Sequence, residues 1–134
     1  MKSVIVTISQ SPDGSYWCHT ESDVYDSGLN GAGSTVAEAK ADLMDCLNES
    51  REDYVANGGM PFDVTFSYQY DLQSFFEYFS FLNVSDVAKR AGINPSLMRQ
   101  YTAGIKRAGE KTYSRLSACI ESISKELQAA SFHI

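Results

Sequence analysis

The stretch PFDVTFSYQY, residues 61–70, alternates without a break. Phe62, Val64, Phe66, Tyr68 and Tyr70 fall on one side, and Asp63, Thr65, Ser67 and Gln69 on the other. A period of two puts the first set on one face of an extended strand, to be covered, and leaves the second to water. One strand cannot cover itself, so this segment commits the chain to a sheet with an apolar layer on one side. Directly after it, at Asp71, the period becomes helical and stays so to the end. DLQSFFEYFSFL offers Leu72, Phe75, Phe76, Phe79 and Leu82 as a stripe, and a last helix spaces Tyr113, Leu116, Ile120, Ile123 and Leu127 by threes and fours.

Partner strands come earlier in the chain. SVIVTISQ, residues 3–10, sets Val4, Val6 and Ile8 on one face, and its β-branched content favours a strand. Pro12, Asp13 and Gly14 supply turn chemistry, YWCHTE returns as the second strand of a hairpin, and VYDSG is read as a third. STVAEAKADLMDCLNESREDYV is helical, with Val36, Ala39, Leu43, Cys46, Leu47 and Tyr54 near one face and Thr35 and Glu38 as a capping box. GLNGAGST before it is read as a flexible strand-to-helix turn, since it lacks the Gly-Lys-Ser/Thr ending of a phosphate-cradling loop. NGGMP ends the helix. The expected fold class is α+β: a β-β-β-α-β domain over residues 1–70, then an all-helical domain over residues 71–134, with the aromatic cluster from Tyr68 to Phe81 as core between them.

Charge divides at nearly the same place. The chain carries −6 overall, but residues 1–72 hold three Lys and Arg against twelve acids, a net −9, while residues 73–134 hold eight against five, a net +3. The two halves therefore suit different partners. Three cysteines, Cys18, Cys46 and Cys119, make an odd count without metal-ligand spacing, so reduced thiols and no metal are expected. No apolar run is long enough to cross a bilayer, and the start lacks a signal-peptide block, so a cytoplasmic location is expected. The first predicted strand carries no carboxylate for two-metal chemistry, and neither His19 nor His133 has a nucleophile arranged with it. No catalytic residue, cofactor or metal is expected.

The most basic stretch carries the sharpest motif. In SDVAKRAGINPSLMRQYTAG, Val87, Ala88 and Ala91 make the inner face of a first short helix, with Ala88 small enough for a second helix to cross over it. Gly92 supplies a left-handed turn, Ile93 packs beneath, Pro95 suits a helix first turn, and Met98 and Tyr101 anchor the second helix inward. This is the pattern of a helix-turn-helix. It leaves Asn94, Ser96, Arg99, Gln100 and Ala103 facing outward, and Arg and Gln suit guanine and adenine edges in a major groove. Lys89, Arg90, Lys106, Arg107 and Lys111 would flank them on phosphates. Lys89 to Arg115 holds seven basic residues and one acid, the footprint of nucleic-acid binding.

VSDVAKRAGINPSLMRQYTAGIKRAGEKTYSRL resembles the Xre/Cro-type helix-turn-helix. VIVTISQSPDGSYWCHT, a glycine-containing third strand and GSTVAEAKADLMDCL resemble the HicB antitoxin domain, a partial RNase H-like fold without catalysis. This chain has DVYDSGLNGAG where many HicB members carry a Pro-Gly-Cys step. The resemblance implies a type II antitoxin. Its acidic domain would bind and neutralise a small basic HicA-like mRNA interferase, and its helix-turn-helix would bind double-stranded DNA at its own promoter as a homodimer or higher oligomer. The alternative is a stand-alone helix-turn-helix regulator whose first domain serves oligomerisation or ligand sensing.

Overall fold

A computed structural model describes all 134 residues. In order the elements are β1 (Lys2–Gln10), β2 (Tyr16–Thr20), β3 (Asn30–Gly33), α1 (Val36–Ala56), β4 (Val64–Tyr70), α2 (Leu72–Tyr78), α3 (Val84–Ala91), α4 (Pro95–Thr102) and α5 (Glu110–Ala129). The architecture is α+β, one four-stranded sheet and five helices, and the chain forms two compact units, Met1–Phe79 and Ser80–Ile134.

In the first unit the strands lie in the order β3-β2-β1-β4. β1, β2 and β3 form an antiparallel meander, and α1 carries the chain to the opposite edge, where β4 runs parallel to β1. Strands β3 and β4 thus run the same way, and a parallel connection needs a crossover too long for a turn, which the helix supplies. The register aligns Ile8 with both Cys18 and Tyr70, and Val4 with Phe66. The expected alternation thus meets one face, where Val4, Val6, Ile8 and Cys18 pack against Val36, Ala39, Leu43 and Leu47 of α1. Burying each of the larger aliphatic side chains contributes about 1.5–3 kcal/mol.

The start of α1 combines several caps. Thr35 Oγ1 accepts from the Glu38 amide at 3.1 Å, as the capping box requires, but the Glu38 carboxylate accepts from Ser34 N and Ser34 Oγ, one residue earlier than the motif implies.

Two expectations are corrected here. VYDSG is not a strand: Val24 and Ser27 pair across a tight turn, with Tyr25 and Asp26 at φ 52° and 65°. The third strand is instead Asn30–Gly33, inside the segment expected to be a turn. It lies directly against α1, where a β-carbon on Gly31 would come within 2.3 Å of the Ala39 carbonyl oxygen. Contact of that closeness requires glycine, which has little strand signal of its own.

The helix after β4 also ends earlier than its apolar stripe suggests, at Tyr78, and it belongs to the sheet. Asp71 caps it through Ser74 N at 2.8 Å while its other carboxylate oxygen accepts from Gln10 N at 2.9 Å. Glu77 reaches the first amide of α1, accepting from Val36 N at 2.9 Å. The first unit therefore runs to Phe79, beyond the boundary expected near residue 71, and Tyr70, Phe75 and Phe79 meet within it at ring separations of 4.8–5.8 Å.

In the second unit, α3 packs on α4 and α5. Its core is Val87, Ala88, Ile93, Met98, Leu116 and Cys119. No helix of the chain is long and apolar enough to cross a membrane.

Candidate nucleic-acid interface

Two eight-residue helices joined by three residues form the basic site. Asn83 starts α3, its side-chain oxygen accepting from Asp86 N at 3.0 Å. Gly92 ends it in the left-handed region, φ 75°, with its amide directed at Ala88 and Lys89 carbonyls. A left-handed residue there reverses the chain at once, and glycine adopts it without steric cost. Asn94 then caps α4 and Pro95 occupies its first turn. Ala88 and Met98 have no exposed surface, and Ile93 is buried between them in sequence. The small and anchoring positions read from the sequence are the ones the helices use, with Ala91 and Tyr101 half-buried.

With Met98 inward, α4 presents Ser96 and Arg99 to solvent and leaves Gln100 half-buried. Arg99 is held in place: its guanidinium donates to Ser85 Oγ at 3.0 Å and to Ser96 Oγ at 3.2 Å. Two of its five N–H groups are used, and three remain for a ligand in a fixed planar fork. Ser85 was absent from the sequence expectation, and its position at the start of α3, fourteen residues from Arg99, gave no local signal. Asn94, expected to face a base, has its side-chain oxygen engaged as a cap, accepting from Ser96 N at 2.9 Å and Leu97 N at 3.2 Å. Its amide nitrogen is the group left for recognition.

The flanking cations differ among themselves. Lys89, Lys106, Arg107 and Lys111 are exposed, and none forms an ion pair within the chain. Arg90 instead pairs with Glu126 of α5, tying α3 to that helix. The basic loop after α4 is anchored at its start, because Ile105 N and Lys106 N donate to the Gln100 carbonyl at 2.9 and 3.3 Å. Arg115 donates to the Gly92 carbonyl at 3.3 Å and braces the turn from α5. The arrangement can offer a planar donor fork, side-chain amides and several unneutralised cations to a polyanion.

In the first unit the outer face of α1 exposes Glu38, Asp42, Asp45, Glu49, Glu52 and Asp53. Glu38 and Asp42 are engaged locally, by Ser34 and by the Ala32 amide at 3.0 Å. Lys40 faces the sheet instead, its ammonium 3.5 Å from the Tyr78 ring centre and 4.1 Å from that of Tyr68, donating to the Tyr70 hydroxyl at 2.7 Å. Desolvation among those rings holds its pKa below the usual lysine value. Burial, then the nearby Asp42 charge, pushes the Cys18 thiol up to about 11, so it stays protonated, 3.2 Å from the Ala39 carbonyl oxygen. No group of three or more His, Cys, Asp or Glu comes together to hold a metal ion.

Comparison with protein-family models, with curated proteins and with solved structures finds no match to this chain.

Proposed function

We propose that the chain is a non-enzymatic antitoxin of the HicB type that represses its own promoter. In this reading α3 and α4 form a helix-turn-helix, with α4 in the major groove of double-stranded DNA. The observation that carries it is the presentation of Arg99: on the solvent face of a helix anchored by a fully buried Met98, with its fork pre-set by Ser85 and Ser96. Ordering an arginine before binding reduces the entropy lost on forming a bidentate contact. Arg99 and Gln100, with Ser96 and Asn94, read bases; Lys89, Lys106, Arg107 and Lys111 hold phosphates, and Arg90 does so only by leaving Glu126. The acidic first unit attracts and covers a small basic HicA-like toxin through complementary charge.

The apolar stripe of the last helix is divided between core and solvent. Leu116 is buried within its own unit, whereas Ile120 and Ile123 are half-buried and Leu127 is 67% exposed. A second copy seated on the far end of α5 would make the twofold dimer that palindromic half-sites require.

Mobility shifts on DNA from upstream of the gene, with and without the adjacent basic protein, test this reading. The expected result is a sequence-specific complex formed by the chain, together with rescue of growth when the chain is co-expressed with that neighbour. A chain that binds the upstream DNA no better than scrambled DNA and fails to rescue growth contradicts it.

A further inference from the structure

The two edges of the sheet are finished differently. β3 is four residues long, and its Ala32 amide donates at 3.0 Å to the Asp42 carboxylate of α1 rather than to a strand. β4, the other edge, is seven residues long. At its ends the Asp63 carbonyl oxygen accepts from Lys2 N at 2.8 Å, and the Asp71 amide donates to the Ile8 carbonyl oxygen at 3.1 Å. Peptide groups along a strand alternate in direction. Thr65, Ser67 and Gln69 therefore bond to β1, while Val64, Phe66 and Tyr68 turn their N–H and C=O groups away from the sheet. Those outward groups have no hydrogen-bond partner in the chain. Proteins protect such an edge with charge, proline, a bulge or a short strand. VTFSYQY has no charged residue and no proline, and it pairs with β1 through all seven residues without a bulge.

The side chains of the same strand are also incompletely covered. α1 lies chiefly over β3 and β2, and Val4, Val6 and Ile8 of β1 are buried, but Phe66 and Tyr68 are only half-buried. Their ring centres are 6.3 Å apart, and that of Tyr70 lies 6.4 Å beyond Tyr68. The Lys40 ammonium covers one side of Tyr68, and Met44, one turn further along the same side of α1, is 41% exposed. An extended segment laid beside β4 would pair the free backbone groups and cover these rings with every second side chain.

Charge selects the occupant. Met1–Phe79 carries three Lys and Arg against thirteen Asp and Glu, a net −10. A second copy would set one such unit against another, whereas a cationic chain is attracted. We infer that the free edge of β4 takes an extended segment of a cationic protein as a fifth strand, with alternate apolar residues against Phe66 and Tyr68. The identity of that protein as the adjacent basic protein rests on the antitoxin reading; strand addition is a separate claim about how it is held.

Amide exchange of the full-length, isotope-labelled chain, alone and saturated with the adjacent basic protein, tests the inference. In the free chain the Thr65, Ser67 and Gln69 amides should exchange slowly and those of Phe66 and Tyr68 fast. In the complex the Phe66 and Tyr68 amides should slow at least tenfold. A complex in which they stay fast overturns strand addition and leaves the antitoxin reading intact. Protection of Phe66 and Tyr68 in the chain alone, rising with its concentration, assigns the edge to a second copy and overturns the cationic occupant. Failure to bind the adjacent protein overturns the antitoxin reading and this occupant with it. Phe66→Pro and Phe66→Ala then separate backbone from ring. Both lose the ring, but only proline removes the outward N–H, and it holds the preceding Thr65 extended as the strand requires. Slow exchange at Ser67 and Gln69 shows that β4 stays paired with β1 in both variants. Phe66→Pro should bind the adjacent protein at least tenfold more weakly than Phe66→Ala, and equal affinities overturn the pairing of that amide.

Discussion

At Gly31 a β-carbon would come within 2.3 Å of the Ala39 carbonyl oxygen and 2.6 Å of the Leu43 nitrogen, both backbone atoms of α1. Neither can move aside without shifting the helix, so Gly31→Ala should destabilise the first unit by about 1–3 kcal/mol, the usual cost of overpacking a closed contact. Gly28 is the control. Its added β-carbon would have only Asp23 Oδ1 near, at 3.9 Å, and alanine there should change stability by less than ~0.5 kcal/mol. Urea midpoints measure both, and equal midpoints for the two variants would contradict the close packing of β3 on α1. The same scale explains the mixed outcome at Asn94. From the sequence Asn94 is placed only on the base-facing side, whereas it stands just before Pro95 and its side-chain oxygen caps α4. A residue type that serves both purposes cannot be divided between them by spacing alone.

Among the elements, α2 depends most on contacts far away in sequence. Its docking rests on Asp71 holding Gln10 N and on Glu77 holding Val36 N, links of 61 and 41 residues. Glu77→Ala should leave the first amide of α1 without a protein partner and lower stability by roughly 1–2 kcal/mol, as losing a helix cap does. Hydrogen exchange should show the Val36 amide losing protection while the amides of β1 keep theirs. Unchanged exchange at Val36 would show that Glu77 does not hold that amide. This dependence also explains what was legible in the sequence. β1, β2, β4, α1 and the α3–α4 pair follow from local periodicity, caps and turn residues, because each carries its own apolar pattern. β3 and the docking of α2 do not, since one relies on having no side chains and the other on two carboxylates that resemble ordinary surface acids. The inward positions of the basic site, Ala88, Gly92, Ile93 and Met98, were readable because burial and backbone geometry restrict residue type strongly. The partners of Arg99 and Arg90 were not, because nothing in sequence spacing links position 85 to 99 or 90 to 126.

For the whole molecule, the uneven charge is the property with the widest consequence. A pI near 4.8 suggests a chain that DNA should repel, yet Ser80–Ile134 concentrates eight of the eleven Lys and Arg beside only four acids. Long-range repulsion from the acidic unit weakens with ionic strength as the local attraction does, so contact-level effects must be separated by substitution at matched salt. Base contacts and phosphate contacts leave different traces. Arg99→Ala should lose ~1–3 kcal/mol on the specific site and relax preference at one base pair, with little change in salt slope. Lys106→Ala should weaken specific and scrambled DNA alike and reduce the slope of log K against log salt by about one. The most direct measurement is therefore that slope, for parent and both variants, on upstream and scrambled DNA. The account predicts lost discrimination for Arg99→Ala and a reduced slope with discrimination retained for Lys106→Ala. Identical slopes and identical discrimination in all three proteins would contradict the placement of α4 in the groove.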